Sequence, residues 1–107
     1  MSASTIQKLN DVFRQTFVGG RVVLTSGVSG LPNDITAKLL HTVKTQSEFT
    51  RDNDPNGEHD FGSCIVADEK FFWKIDYYDV TLEFGSPDPS DPNVTTRVLT
   101  IMRADEY

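Results

Sequence analysis

The sequence has only one cysteine and no long apolar run. Cys64 is the single cysteine in 107 residues, whereas small secreted domains usually carry paired cysteines. No apolar stretch approaches the roughly 20 residues that a membrane-spanning helix needs. The N-terminus also lacks a basic segment followed by an apolar one. We therefore expect a cytoplasmic protein without a membrane anchor, in which Cys64 is a small, buried strand residue.

Basic residues are scarce in one part of the chain. Between residues 52 and 91 there are eleven acidic residues against Lys70 and Lys74, a local charge of −9 in a chain of net charge −6. Direct nucleic-acid binding requires a basic stripe, so we do not expect it. An acidic face suits a basic protein surface or a cation. The alternative is an acidic surface that only keeps the protein soluble.

The length and composition are those of one globular domain. The chain has 37% apolar and 10% aromatic residues, enough for one core without a metal or disulfide staple. There is no internal repeat and no linker. We predict a single domain over residues 1–107.

Two segments have the apolar spacing of amphipathic helices. The first covers residues 4–17, with a stripe at Ile6, Leu9, Phe13 and Phe17. The second begins after Pro32 and fades by Phe49, with a stripe at Ile35, Leu39, Leu40 and Val43. Glycines follow the first helix, and proline opens the second, as is typical of helix ends.

The remaining segments have the composition of strands. Residues 21–25 form a short β-branched run, and residues 61–66 and 70–76 alternate as a hairpin. Residues 80–84 and 94–103 predict two further strands. The order helix, strand, helix and then strands predicts an α+β fold. In it, two helices pack on one face of a mostly antiparallel sheet of about four to five strands.

The strand at residues 70–76 has two different faces. Alternation places Phe71, Trp73 and Ile75 on one face, which we predict to be core. The opposite face carries Phe72, Lys74 and Asp76. Tyr77 and Tyr78 stand beside acidic residues at the strand end, where aromatic rings with polar tips often contact a partner.

Three stretches resemble a known family. Residues 53–62 read NDPNGEHDFG, residues 71–79 read FFWKIDYYD, and residues 95–102 read TTRVLTIM. They resemble small alphaproteobacterial proteins, many of them plasmid-borne, that are classified as a domain of unknown function. The resemblance extends over nearly the whole chain. It implies family membership but no established activity, cofactor or catalytic residue. The plasmid setting implies a role in plasmid maintenance or in evasion of host defence.

Residues 52–60 have the spacing that opens a calcium-binding loop. The candidate metal ligands are Asp52, Asp54, Asn56 and Asp60. Ser63 stands where an EF-hand requires a bidentate glutamate, and a strand rather than a helix follows, so this is not an EF-hand. A looser metal site completed by Asp76 or Asp79 is still possible. An ordinary turn is the other interpretation, because turns use the same residue types.

His59 is the candidate for acid–base or metal chemistry. With Asp60 and Asp76 it could bind a transition metal through one imidazole and carboxylates. Oriented by a carboxylate it could act as a general base, although no positioned nucleophile completes a hydrolase triad. A hydrogen-bonded structural histidine is the alternative. We therefore assign no catalytic residue.

We predict a non-enzymatic binding or regulatory protein with an acidic, tyrosine-containing interaction face. The candidate binding residues are Asp54, Glu58, His59, Asp60, Lys74, Asp76, Tyr77, Tyr78 and Asp79. The expected partner is a protein with a basic surface, and no cofactor is expected. A metal-binding protein or metal-dependent enzyme using His59, Asp60 and Asp76 is one alternative. An acidic inhibitor that mimics nucleic acid and blocks a host defence protein is the other.

Overall fold

Three helices and one strand lie in the first half of the described chain, and strands dominate the second. A computed structural model describes residues 3–107. The helices are α1 (Ala3–Thr16), α2 (Ser26–Ser29) and α3 (Asn33–Thr45). The strands are β1 (Gly20–Leu24), β2 (Phe61–Val66), β3 (Glu69–Tyr78) and β4 (Thr96–Arg103). A 3-10 turn, Ala104–Glu106, follows β4. Within residues 3–107, no helix has the length and apolar character to cross a membrane.

The four strands form one sheet in the order β1-β4-β3-β2. β4 pairs parallel with β1 and antiparallel with β3, and β2 pairs antiparallel with β3. The strand that comes last in sequence is therefore central, beside the strand that comes first. The predicted α+β class and the mostly antiparallel sheet are confirmed.

β2 and β3 are joined by a tight hairpin, as predicted. Val66 pairs with Glu69, so the loop consists of Ala67 and Asp68 alone. Both have positive φ, 52° and 63°, which is the backbone of a type I′ turn and matches the twist of the strands. The turn fixes the register along the whole hairpin.

One core lies between the helices and one face of the sheet. Its β3 residues are Phe71, Trp73 and Ile75, with 1%, 0% and 3% of their surface exposed, which confirms the predicted core face. The helices and β4 contribute Phe13, Val28, Leu39, Val43, Leu99 and Ile101. Burial of these apolar side chains is the main stabilising term of such a domain.

Among residues 3–107, no α-helix packs on the opposite face of the sheet. Phe61 and Phe72 lie on this face with ring centroids 5.4 Å apart, and Tyr107 packs against both. Lys74 and Asp76 follow on the same face of β3 and form an ion pair of 3.0 Å. This face is therefore part aromatic and part charged.

The predicted strand at residues 80–84 is wrong. The Asp79 carboxylate accepts hydrogen bonds from the backbone N–H groups of Thr81 and Glu83 at 3.2 and 3.1 Å. Leu82 has a φ of 62°, which no strand contains. The alternating apolar pattern is overridden because an aspartate side chain satisfies the backbone locally and folds it into a turn.

Candidate functional site

A polar cluster joins α1 to the loop before β2 and to the sheet. We define it as Gln7, Asn10, Asp11, Asp54, Glu58, His59, Tyr77 and Arg97. Gln7, Asn10 and Asp11 come from α1, Asp54 to His59 come from the loop, and Tyr77 and Arg97 come from β3 and β4. The cluster contains Asp54, Glu58, His59 and Tyr77 of the predicted binding residues.

The His59 ring is held on both nitrogens. Its Nδ1 lies 2.9 Å from Asp11 Oδ1, and its Nε2 lies 2.9 Å from Gln7 Nε2. Gln7 Nε2 also donates to the Gly57 carbonyl at 3.2 Å, so this nitrogen is correctly placed as a donor. His59 Nε2 therefore accepts, and the proton of the neutral ring is on Nδ1, facing Asp11.

The backbone of His59 is also held in an uncommon conformation. Its φ is 55°, a left-handed value that costs free energy for any residue with a side chain. The His59 N–H donates to Asp54 Oδ1 at 3.1 Å. The ring stacks on Phe49 with centroids 3.8 Å apart. The contacts of both backbone and ring thus hold the conformation in place.

Asn10 is the centre of the second half of the cluster. It is fully buried, and its Nδ2 donates to the Glu58 carbonyl at 2.9 Å and to the Tyr77 hydroxyl at 2.8 Å. Its Oδ1 accepts from Arg97 Nε at 2.8 Å. The Tyr77 hydroxyl in turn donates to Glu58 Oε1 at 2.9 Å. Burial raises the pKa of Tyr77, so the hydroxyl keeps its proton.

Arg97 is a buried cation without a carboxylate partner among residues 3–107. Only 3% of its surface is exposed, and burial lowers its pKa. It donates to Asn10 and to the Pro89 carbonyl, and its guanidinium lies 5.3 Å from the Tyr77 ring centroid. Arg97 therefore connects the loop after β3 to the polar cluster. Its contacts are hydrogen bonds to neutral acceptors and a cation–π contact with Tyr77.

Arg14 extends the same connections to the end of α3. It donates to the carbonyls of Val43 and Gln46 at 3.1 and 2.8 Å, which otherwise lack helical partners. Its guanidinium lies about 5 Å from the rings of Phe49 and Trp73, at 5.2 and 5.1 Å. Arg14 also pairs with Asp11 at 3.2 Å. Asp11 thus links Arg14 to His59.

The other predicted binding residues lie elsewhere. Lys74, Asp76 and Tyr78 alternate with the core residues and therefore lie on the helix-free face of the sheet. Asp79 organises the turn after β3. Tyr77 points to the helices, whereas its neighbour Tyr78 does not. The single face predicted from the sequence is divided between the two sides of the sheet.

The calcium-like loop is folded as a turn. Asp54 is 8% exposed and directs its carboxylate to His59, whereas Asp52 and Asn56 are exposed. Within the described part of the chain, no three His, Cys, Asp or Glu side chains are grouped to hold a metal ion. Of these candidate ligands, Asp54 is engaged by the backbone N–H of His59.

Asp60 stands next to the polar cluster and is partly buried. Burial raises its pKa, and the nearby carboxylates of Glu58, Asp54 and Asp76 raise it further. The charged form of this carboxyl is therefore less favourable here than in water. Asp60 is the last residue of the loop before β2 begins.

Two acidic loops meet at one end of the sheet. β2 begins where β3 ends because the two strands are antiparallel, so residues 52–60 and residues 79–91 lie at the same end. Together they contain no Lys or Arg and eight acidic residues: Asp52, Asp54, Glu58, Asp60, Asp79, Glu83, Asp88 and Asp91. We call this region the acidic end. The Ser90 hydroxyl bonds Asp88 and lowers its pKa, which keeps that carboxylate ionised.

The chemistry of the polar cluster is that of a structural connection. The described contacts of the His59 ring are with Asp11, Gln7, Asp54 and Phe49, and none is with a hydroxyl or thiol. Each polar atom of Asn10 and Tyr77 is engaged. These contacts connect α1, the loop before β2 and the sheet.

Sequence reasoning missed Gln7, Asn10, Asp11, Arg14 and Arg97. Asn10 and Arg14 lie four and eight positions after Ile6, so they share its buried helix face. A polar residue at a buried helical position was the signal that could have located them. Arg97 lies two and four positions before Leu99 and Ile101, so the alternation of β4 places it on their buried face.

The chain belongs to the family described as a protein of unknown function (DUF3768), whose sequence profile matches residues 24–106. The match covers the loop before β2, the hairpin and β4. It also covers every residue of the polar cluster except those from α1. No curated protein and no solved structure matches the chain.

Proposed function

We propose that this is a non-enzymatic binding or regulatory protein whose acidic end contacts a basic protein surface. The observation that supports this is the meeting of two loops with eight acidic residues and no Lys or Arg at one end of the sheet. Opposite charge across an interface accelerates association and selects orientation. The same charge repels nucleic-acid phosphates.

The loops of the acidic end are held in defined conformations, which lowers the entropy lost on binding. The first is fixed by the contacts of His59 and Asp54. The second is fixed by Arg97 at Pro89 and by the Asp79 turn. The polar cluster and the Asp79 turn thus hold the two loops that carry the acidic side chains.

The test is capture of partners on the immobilised protein from an extract of the organism that carries the gene. Asp52→Lys with Glu83→Lys reverses two exposed charges of the acidic end. The control, Asp34→Lys with Asp105→Lys, makes the same charge change outside it. We expect the first pair to lose partners that the control retains, and we expect binding to weaken with salt.

The alternatives predict different results. Direct retention of DNA by the purified protein would contradict the proposal, as would partners that are unaffected by salt and by the acidic-end variants. A nucleic-acid-mimicking inhibitor is the narrower form of the proposal. In that case the captured partner is itself a nucleic-acid-binding protein, and added DNA displaces it.

A further inference from the structure

β2 is an outer strand of the sheet and lacks the usual protections of a sheet edge. Its residues, Phe-Gly-Ser-Cys-Ile-Val, include no charged residue and no proline. Ile65 is 73% exposed. Edge strands usually carry charges, prolines or bulges that prevent pairing with another chain. The other outer strand, β1, contains Arg21. The edge of β2 is thus suited to pair with a further strand.

The hairpin determines which backbone groups of β2 face outward. In a two-residue hairpin the flanking pair, here Val66 and Glu69, exchanges both hydrogen bonds, and bonded pairs then alternate. At the far end Ile75 N–H donates to the Asp60 carbonyl at 2.8 Å, which confirms this phase. Ser63 and Ile65 consequently direct their N–H and C=O groups to the free edge. No described residue outside the sheet bonds these groups.

A groove runs along this edge between β2 and α3. One part, of about 450 Å³, is lined by Glu48, Ser63 and Cys64 among others. The other, of about 470 Å³, is lined by Lys38 and Ile65 among others. Thr42 borders both parts. The groove therefore has a basic side chain towards one end and an acidic one towards the other.

We propose that β2 pairs antiparallel with β2 of a second copy of the chain, with the two-fold axis at Cys64. This register places Ser63 of each copy opposite Ile65 of the other, with about four new backbone hydrogen bonds. The two sheets become one continuous sheet. A two-fold axis between the halves of the groove also brings Lys38 of each copy to Glu48 of the other, which is the self-complementarity that such an interface requires.

The pairing also buries apolar surface. Ile65 lies diagonal to Phe61 of the second copy, so its exposed side chain joins the aromatic residues of the helix-free face. Cys64 faces its own counterpart in a non-hydrogen-bonded pair, where Cα atoms are about 4.5 Å apart. That separation lies within the range that a disulfide spans. Disulfide formation between the two Cys64 residues therefore reports this register.

Sedimentation or light scattering is the first test. We expect twice the chain mass of 12.0 kDa for the wild type. Ile65→Lys, which places a charge on the edge, should give the monomer. Ser63→Pro should do the same, because it removes an N–H only from the free edge. Val23→Lys, on the β1 edge, should remain a dimer. A monomeric wild type, or a dimer indifferent to both β2 variants, would overturn the proposal.

A charge exchange tests the groove contact. Lys38→Glu or Glu48→Lys alone should raise the dimer dissociation constant about tenfold, through repulsion between like charges. The double variant restores the opposite pairing and should recover most of that loss. Additive losses in the double variant would contradict the two-fold arrangement about Cys64.

Thiol oxidation tests the register. Diamide, which takes up the two thiol hydrogens, should convert the wild type to a disulfide-linked dimer. Two thiols held opposite each other react faster than thiols that must first meet by collision, so the rate of crosslinking reports a preformed pair. Cys64→Ser should dimerise without a crosslink. A crosslink that forms equally fast in Ile65→Lys would contradict the proposed pairing.

Discussion

The indole ring of Trp73 occupies the space that a side chain on Gly62 would need. A Cβ at Gly62 would lie 2.5 Å from Nε1 and from Cε2 of Trp73, closer than any unstrained contact. The two residues are direct partners in the β2–β3 ladder. Gly62 is thus required by the tryptophan of the neighbouring strand.

Gly62→Ala should therefore destabilise the protein by roughly 1–3 kcal/mol, the usual cost of overpacking a core. Gly30→Ala is the matched control, since its nearest neighbour would be an ordinary contact of 3.5 Å. Urea denaturation measures both free energies of unfolding. Equal stability of the two variants would show that Trp73 can move away at no cost.

Trp73→Ala should lower the free energy of unfolding by about 3–5 kcal/mol, because a fully buried aromatic side chain is replaced by a cavity. Trp73 Nε1 also donates to Gln46 Oε1 at 2.9 Å. Phe84→Ala, at a side chain that is 71% exposed, should change stability by under about 0.5 kcal/mol. A loss below about 1 kcal/mol for Trp73→Ala would be inconsistent with its burial.

Asn10→Ala should lower the free energy of unfolding by roughly 2–4 kcal/mol. The change leaves Arg97 Nε and the Glu58 carbonyl buried without their partner, and each unsatisfied group costs about 1–3 kcal/mol. Gln15→Ala, at an exposed position on the same helix, is the control. If both variants unfold at the same denaturant concentration, the polar cluster does not stabilise the fold.

Asp60→Asn should stabilise the protein at neutral pH. The pKa of Asp60 is raised above its ordinary value of 3.8 by burial, so the folded state binds this proton more tightly than the unfolded state. The resulting penalty is absent below pH 3.8 and grows as pH rises through the folded-state pKa. Unfolding measured from pH 3 to pH 7 should therefore show a gain that increases with pH. Asp52→Asn, at an exposed position, is the control.

Calcium, magnesium, manganese and zinc should raise the melting temperature little. A ligand specific for the native state at 100 times its dissociation constant adds about 2.7 kcal/mol, which a thermal-shift titration detects readily. Asp54→Ala is a poor control because it removes the acceptor of the His59 N–H. Asp52→Asn is a better one. A saturable shift that Asp52→Asn abolishes would identify residues 52–60 as a metal site.

Local patterns predicted the local structure. The apolar stripe of Ile6 and Phe13 identified α1, and alternation identified the buried face of Trp73. The parallel pairing of β1 with β4 was not predictable, because a strand's partner depends on contacts between residues that are far apart in sequence. At residues 80–84 a local pattern gave a wrong prediction. The apolar residues do alternate with polar ones, but the Asp79 side chain provides a competing set of hydrogen bonds for the backbone.

The candidate site was predicted in part. The sequence predicted one face formed by residues 54–60 and 74–79, and within it Tyr77 contacts Glu58. The alternation that separates Trp73 from Lys74 also places Tyr77 on the other side of the sheet from Asp76 and Tyr78, so assigning all three to one face was wrong. The sequence also did not identify Asn10 and Asp11 of α1, which hold the polar cluster together, because the helical period shows that a position is buried but not which distant residue it bonds.

The position of β4 also determines the order in which the domain can be built during synthesis. β1, α3 and the β2–β3 hairpin are all complete before residue 96 is made, yet β1 has no strand partner until β4 arrives. Until then, β3 also lacks β4, its neighbour in the middle of the sheet. Pairing of β1 with β4 is therefore a late, long-range step of the kind that folds slowly.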